Sequence, residues 1–295
     1  MQEILAATSM GSRSARILAN AEACAVRGVT SRGIYLLAGQ QAIVFLTRDP
    51  THGPFTINIP GLGADPAGIN PGDRVPFEGQ TFLFEAGLLA VATGQAEIWE
   101  PPQPARPLAI PRQVATARIV ARDAIERKGW VGLAGLLPGL LGLDDLIPPD
   151  PDPLQMDRVA RDCLVALQAR DAPQLEAALR QASGRGPGLT PSGDDLCAGV
   201  LLAMKRGSNR AVRDLLDRIS PGLIRHAYAA TTAYSANLIE AAAAGEADER
   251  LIAACDCITC GIPAPEAAVE GVIRWGSSSG IDTLTGICLA CLAGG

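Results

Sequence analysis

Hydrophobic and polar positions divide the chain into two parts with different periodicity. Up to about residue 100, short apolar runs alternate with turns rich in Gly and Pro, a pattern typical of β-strands. Beyond residue 112, the chain is rich in Ala and Leu, in segments that read as helices and are bounded by Gly, Pro or Ser. The pattern predicts an α+β protein: a small N-terminal β-barrel or sandwich, followed by a larger all-α domain.

Five segments of the first part predict strands. Residues 33–46 form two apolar runs separated by Gly39, Gln40 and Gln41, which predicts a hairpin. The other four segments are 55–59, 72–77, 81–84 and 88–99. Seven of the eleven aromatic residues lie in this part, which suits a small β core.

Nine segments of the second part predict helices, several of them apolar all round and therefore buried. They cover residues 113–128, 154–168, 172–182, 194–205, 210–219, 223–244, 248–260, 266–275 and 281–292. Residues 131–153, rich in Gly, Pro and Asp, predict a loop. The Pro-rich stretch 101–112 predicts a linker between a β-rich domain over 1–100 and an α-helical domain over 113–295 that carries the candidate site.

Composition narrows the classes of function. A net charge of −6 and few aromatic side chains argue against nucleic acid as a partner. Two His residues exclude a multi-histidine metal site. The start of the chain lacks the pattern of a signal peptide, and the longest uncharged apolar stretch, 129–143, is too short and broken to span a membrane. Eight Cys in mainly helical contexts predict small buried side chains, in a protein located in the cytoplasm. Cys255, Cys257 and Cys260 are a weaker candidate for metal binding.

Two loop-to-helix segments resemble each other. Ser192-Gly193-x-Asp195, followed by Gly199, Leu202 and Ala203, recurs 87 residues later as Ser279-Gly280-x-Asp282, followed by Gly286, Leu289 and Ala290. This spacing predicts an internal pseudo-repeat. Each Gly lies four residues after its Asp, on the same helix face, and would allow another helix to approach closely.

The repeated segments predict an anion site. Thr190-Pro191 predicts a helix N-cap followed by the first helical residue, so that free N–H groups and the positive end of the helix face the loop. Ser192, Ser277, Ser278 and Ser279 would add hydroxyl donors. Asp195 and Asp282 could hold Mg²⁺ or orient a catalytic group, although no cofactor is required by the sequence. The alternative is that these residues are ordinary helix caps.

A third segment, 225–237, places the hydroxyl groups of Thr231, Thr232 and Ser235 within four residues. On one helix, Thr231 and Ser235 would share a face, as would Thr232 and Ser235. Hydroxyl groups within a helix often bond only to their own backbone, which is the alternative interpretation.

Taken together, these motifs resemble a bacterial family that includes the AllH-like subunit of oxamate carbamoyltransferase, an enzyme of allantoin and purine degradation. The motifs are Gly186-Pro-Gly-Leu-Thr-Pro-Ser-Gly-Asp-Asp195, Thr231-Thr232-x-x-Ser235 and Gly276-Ser-Ser-Ser-Gly280-x-Asp282. The early segments His52-Gly53-Pro54-Phe55 and Gly72-Asp73 are similar to the family as well, so that the resemblance extends over nearly the whole chain.

The resemblance implies carbamoyl transfer together with partner subunits, with carbamoyl phosphate or the oxamate carboxylate held at the loops. The resemblance carries over the residues of these motifs, and their individual roles are our inference. We predict catalytic roles for Ser192, Asp194, Asp195 and Asp282. We predict binding roles for Gly188, Thr190, Ser192, Gly193, Thr231, Thr232, Ser235, Ser278, Ser279 and Gly280. The chain lacks the Ser-x-Arg-Thr motif of well-known carbamoyltransferases. Two alternatives stay open: a non-catalytic binding or scaffolding subunit, and a Mg²⁺-dependent hydrolase of a small anionic metabolite.

Overall fold

The computed structural model describes residues 3–64, 68–85, 88–152, 154–207 and 209–293. The chain divides into two compact units, Met1–Pro102 and Gln103–Gly295. Over the described residues, the first unit contains ten strands and one short helix, and the second contains ten helices. The prediction of an α+β fold is therefore confirmed.

The first unit is built from short strands. Their bounds are β1 (Glu3–Ala6), β2 (Ser9–Gly11), β3 (Ala23–Thr30), β4 (Gly33–Ala38), β5 (Ala42–Thr47), β6 (Thr56–Asn58), β7 (Arg74–Glu78), β8 (Thr81–Phe84), β9 (Leu89–Ala92) and β10 (Glu97–Trp99), with helix α1 (Ser12–Leu18) after β2. The predicted hairpin is confirmed as β4 and β5. The single strand predicted over 88–99 is wrong, because a turn between Thr93 and Ala96 divides it into β9 and β10.

The ten strands form one curled sheet. Their order is β1-β9-β8-β7-β3-β4-β5-β6-β2-β10. β1 and β2 lie toward opposite ends of this order, yet only Ala7 and Thr8 join them, a span of no more than about 11 Å. The Ala7 N–H donates to Ala92 and the Thr8 N–H donates to Asn58. The two ends of the sheet therefore meet at this connection, around a core that includes Ile34, Leu36, Val44, Leu46, Ile57 and Phe82.

The second unit is entirely helical. Its helices are α2 (Ile110–Lys128), α3 (Leu136–Leu141), α4 (Asp157–Ala169), α5 (Ala172–Ala182), α6 (Ser192–Arg206), α7 (Arg210–Ala230), α8 (Ala233–Ala243), α9 (Glu249–Cys260), α10 (Pro265–Arg274) and α11 (Ser279–Ala293). Helix α3 lies within the segment predicted as a loop over 131–153. Pro153, the last residue of that segment, lies outside the described residues.

Helix α7 corrects a predicted boundary. A break was expected between residues 219 and 223, but the helix continues through Pro221 and ends at Ala230. Buried apolar positions continue at helical spacing on both sides of the proline, at Ile219 and Leu223 among others. Packing of this face outweighs the missing proline N–H.

Helices α6 and α11 make the most extensive helix–helix contact of the described unit. A Cβ on Gly199 would lie 2.1 Å from the Thr283 carbonyl oxygen, and a Cβ on Gly286 would lie 2.2 Å from that of Leu196. Thr283 and Leu196 are themselves 87 residues apart. The contact is therefore the same on both sides, which confirms the predicted close approach and gives the pseudo-repeat two-fold character.

All eight cysteines are buried and unpaired, as predicted. Those of the cluster at 255–260 lie on α9 within the helical core. The described helices include none long and apolar enough to cross a membrane.

Candidate functional site

The starts of α6 and α11 meet near the loops that precede them, which we call the first loop (residues 183–191) and the second loop (residues 275–278). The Thr190 hydroxyl oxygen lies 2.9 Å from that of Ser279. The prediction that Thr190 caps α6 is wrong, because Pro191 occupies the N-cap with φ −53° and ψ 141°, and no side chain caps the helix there. The Thr190 hydroxyl therefore bonds to Ser279 at the start of α11 instead of capping α6.

Asp195 and Asp282 form a buried pair of carboxylates. Their residues are 3% and 0% exposed. The Oδ2 atom of each has no hydrogen-bond partner among the described residues. Buried carboxylate oxygens without a partner are rare and costly, which marks them as candidates for a bound group or for chemistry.

Each aspartate of this pair is influenced by side chains of the other repeat. Burial and the charge of Asp282 raise the pKa of Asp195 well above its usual value, and hydrogen bonds from Ser279 and Thr190 oppose this rise. Burial raises the pKa of Asp282 to about 6, against hydrogen bonds from the Leu133 backbone and from the Ser192 and Ser278 side chains. The serine of each repeat thus lowers the pKa of the aspartate of the other. We call Asp195 and Asp282 the crossed pair, and Ser192 and Ser279 its two serines.

The backbone N–H groups at the two helix starts are largely occupied. Gly193 donates to Arg185, and Gly280 donates to Trp275, at 2.9 and 3.0 Å. The Asp194 and Asp195 N–H groups both donate to Pro191. The expectation of free N–H groups is wrong at these positions, because the turn before each helix supplies the acceptors.

Asp194 points away from the crossed pair and ties three segments together. Its Oδ1 accepts from the Ser183 hydroxyl at 3.0 Å and from the Gly184 N–H at 2.8 Å. Its Oδ2 accepts from the Thr231 hydroxyl. These contacts fix the loop before α6 against the end of α7. Asp194, which was predicted as catalytic, therefore positions this loop.

Thr231, Thr232 and Ser235 lie at a helix junction. The prediction of one continuous helix here is wrong: α7 ends at Ala230 with Thr231 as its C-cap, and Thr232 caps α8 by accepting from the Ser235 N–H at 3.1 Å. The Thr232 hydroxyl also donates to the Leu189 carbonyl at 2.7 Å. The third segment thus holds the first loop in place.

Gly188 and Ser278 differ in their exposure and contacts. Gly188 is exposed, has φ +100°, and has open space where a Cβ would stand. Ser278 is half-buried, and its carbonyl accepts from the Asp282 N–H at 3.0 Å. Gly193 and Gly280 instead pack where no Cβ fits, against the carbonyls of Ala182 and Val272. These two glycines serve close packing of each helix start on the preceding helix.

Residues 183–291 match the family model described as oxamate carbamoyltransferase subunit AllH. We call this part of the chain, which is similar to that family, the AllH-like region. The AllH-like region contains both loops, the crossed pair and the junction at Thr231, whereas the β unit lies outside it. The resemblance predicted for nearly the whole chain is therefore supported over this region. Neither a curated protein nor a solved structure matches the chain.

Three residues that precede the AllH-like region contact Asp282 or the turn before α11, and sequence reasoning did not predict them. The Leu133 N–H donates to Asp282 Oδ1 at 2.6 Å. Gly132, at φ +54°, has that oxygen 2.0 Å from where its Cβ would be. Lys128 Nζ donates to the Ile273 and Gly276 carbonyls. A backbone donor carries no residue signature, so only the fold shows these contacts.

A cavity of about 20 Å³ lies beside Asp195 in the AllH-like region, and Asp248 and Trp275 contribute to its wall. This volume is sufficient for about one water molecule. Arg250 binds Asp248 through two side-chain nitrogens, and its guanidinium carbon lies 4.9 Å from the centre of the Trp275 ring. In this conformation, the cavity does not have room for a metabolite.

The assignment of Mg²⁺ to Asp195 and Asp282 stays a prediction. Oxygen atoms of carboxylates and hydroxyls are suitable Mg²⁺ ligands, and the crossed pair and its two serines supply both. Over the part of the chain that the structure describes, no three His, Cys, Asp or Glu side chains come together as a metal site. Any ion here would therefore depend on two carboxylates and on oxygen atoms from water or substrate.

Proposed function

We propose that this chain is a subunit of a carbamoyltransferase-type enzyme, working with partner subunits on oxamate and carbamoyl phosphate in allantoin and purine catabolism. The observation that carries the proposal is the crossed pair, with a free Oδ2 on Asp195 and on Asp282. It lies inside the region that matches a family described as an oxamate carbamoyltransferase subunit. The helical domain predicted over 113–295 would carry the site.

The proposed reaction needs a proton acceptor and a proton donor. The substrate nitrogen forms a bond to the carbamoyl carbon, the bond from that carbon to the phosphate oxygen breaks, and the nitrogen loses a proton. A pair of carboxyl groups that shares one proton can accept the nitrogen's proton at one member and protonate the leaving phosphate from the other. Burial raises the pKa of both Asp195 and Asp282, which favours such sharing near neutral pH.

Recognition of an anion beside two carboxylates requires that their charge be limited. The raised pKa values reduce that charge, since each proton held removes one negative charge from the site. When they rotate away from the carboxylates, the hydroxyl groups of Thr190, Ser278 and Ser279 supply donors for a phosphate or carboxylate, assisted by the positive ends of α6 and α11. The anionic substrate would approach the crossed pair from the side of the Gly188 backbone.

Substrate entry requires the first loop to move. The crossed pair is buried, whereas Gly184, Gly188 and Leu189 are exposed. Gly184, Gly186 and Gly188 all have positive φ, at 78°, 110° and 100°, so the loop is built from residues with wide backbone freedom. We propose that opening of this loop uncovers Asp195 and Asp282.

The test is carbamoyl transfer from labelled carbamoyl phosphate to oxamate by the chain purified with its partners. Substituting Ser192→Ala with Asp195→Asn should lower kcat by about 100-fold or more, the scale of a lost acid or base. Asp144→Asn is the matched control, since this carboxylate is exposed. Circular dichroism should show both variants folded. Full activity in the double variant would overturn the proposal.

The same assay separates the two alternatives. Calorimetric binding of carbamoyl phosphate, oxamate or inorganic phosphate by this chain, with an unchanged rate in the double variant, would indicate a binding or scaffolding subunit. Hydrolysis by the chain alone that needs added Mg²⁺ would indicate the hydrolase. Transfer that requires the partners and the crossed pair supports the proposed function.

A further inference from the structure

The segment from Lys128 to Leu133 joins α2 to α3 and lies against the second loop. The Lys128 ammonium group donates to the Ile273 carbonyl at 2.8 Å and to the Gly276 carbonyl at 3.4 Å. Ile273 lies in the last turn of α10, where a cation is favoured by the helix dipole. Gly276 begins the turn that leads into α11. Lys128 therefore fixes the second loop at its base.

Leu133 fixes the carboxylate at the other end of this loop. Its N–H donates to Asp282 Oδ1 at 2.6 Å, and both residues are buried. The preceding Gly132 has φ +54°, and a Cβ there would lie 2.0 Å from Oδ1 and 2.8 Å from Oδ2. Only glycine satisfies both the conformation and the space. The segment thus sets the orientation of the whole carboxylate.

The two members of the crossed pair differ in the kind of hydrogen-bond donor that faces each carboxylate. Asp195 is influenced by the Ser279 and Thr190 hydroxyls, which can turn and act as donors or acceptors. Asp282 is influenced by the Ser192 and Ser278 hydroxyls in the same way, but it also receives the Leu133 backbone N–H, which can only donate and cannot turn away. The pseudo-two-fold arrangement is therefore broken by a segment outside the AllH-like region.

We propose that Lys128, Gly132 and Leu133 are positioning residues that hold Asp282 in one orientation and leave Asp195 as the member that reorients toward the substrate. This assignment rests on the proposed function for its catalytic meaning. Its structural part, a carboxylate fixed by the Leu133 N–H, holds independently of any reaction. The two parts can be tested separately.

The structural part is tested by carbon NMR of the chain labelled at its Asp carboxyl carbons. Asp282→Asn and Asp195→Asn identify the two signals. Gly132→Ala should shift the Asp282 signal by displacing the carboxylate. Gly139→Ala, an exposed position where a Cβ meets nothing within 4 Å, should leave it in place. If Gly132→Ala does not fold, replacing Leu133 by its α-hydroxy acid removes the N–H without adding an atom. An unmoved Asp282 signal would overturn the inference.

The catalytic part is tested by steady-state transfer kinetics with the partner subunits present. Gly132→Ala should lower kcat by about tenfold or more with little change in KM, because the misplaced group acts in the reaction itself. Lys128→Met should raise KM by loosening the loop, with Lys205→Met as the control at the other lysine of the chain. Unchanged kinetics with a shifted NMR signal would refute the positioning role alone. No transfer by the unmodified enzyme would refute the proposed function and leave the NMR result standing.

Discussion

Gly199 and Gly286 make the same contact twice, each placing its Cα against the backbone of the other's helix. The atoms that a side chain would meet are the Thr283 carbonyl in one case and the Leu196 carbonyl in the other. Because the two contacts are equivalent, α6 and α11 cross at a distance that only glycine permits on both sides. The separation of the helix starts, and with it the crossed pair, depends on this crossing.

Gly199→Ala and Gly286→Ala should each destabilise the chain. The added methyl group collides with rigid backbone, for which overpacking costs of about 1–3 kcal/mol are usual, and this outweighs the gain in helix propensity of up to about 1 kcal/mol. Urea unfolding measures the change. Gly139→Ala, at an exposed position in α3, should not destabilise. Unchanged stability of both crossing variants would contradict the packing described here.

Removing the Asp194 carboxylate should loosen the first loop. Asp194→Ala leaves the Ser183 hydroxyl, the Gly184 N–H and the Thr231 hydroxyl without their shared acceptor. We expect a loss of about 2–4 kcal/mol in the free energy of unfolding, since hydrogen bonds to charged groups are worth about 1.5–3 kcal/mol each and are not additive. Asp144→Ala serves as the exposed control. Equal stability of the two variants would argue against this role of Asp194.

The contact between Thr190 and Ser279 should be measurable as a coupling energy. A double-mutant cycle with Thr190→Val and Ser279→Ala removes each hydroxyl singly and then both. Because the two oxygens lie 2.9 Å apart, the effects on unfolding free energy should depart from additivity by about 0.5–1.5 kcal/mol. Additive effects would mean that the two loops do not interact.

Stability should respond to pH through Asp282. Burial raises its pKa from 3.8 to about 6, so the folded chain keeps a proton that the unfolded chain releases. The stabilising contribution of this proton is complete below pH 3.8 and is lost as the pH rises through about 6. Asp282→Asn cannot ionise, and its stability relative to the unmodified chain should therefore improve from pH 4 to pH 8, by roughly 3 kcal/mol at most.

Thermal unfolding across that pH range is the measurement. Asp144→Asn should show no such trend, since that carboxylate is exposed. A constant difference between Asp282→Asn and the unmodified chain at every pH would mean that Asp282 titrates alike in the folded and unfolded states.

The repeated parts of the site could be predicted from the sequence, because they depend on spacing. Two Ser-Gly-x-Asp segments with Gly four residues after each Asp predicted both helix starts and the close crossing. The hairpin of β4 and β5 was predictable for the same reason, since its two apolar runs flank a short turn.

Other features depend on partners far away in the sequence. The Leu133 N–H and Asp282 are 149 residues apart, and a backbone donor has no signature in the sequence. In two places, tertiary contacts also override the local sequence preferences for helix caps and helix ends. Thr190 bonds to Ser279 instead of capping α6, and the buried face of α7 carries the helix through Pro221. Strands β1 and β2 are too short to show alternation, and they find their partners across the whole unit.

The connection at Ala7 and Thr8 has a consequence for the order of synthesis. β1 pairs with β9, and β2 pairs with both β6 and β10. A ribosome makes β1 and β2 long before it makes β9 and β10, so the pairing of β1 with β9 and of β2 with β10 forms last. Until Trp99 has emerged, these early strands expose unpaired backbone edges, which are sites of aggregation. The β unit can therefore complete its sheet only after its final strand has been translated.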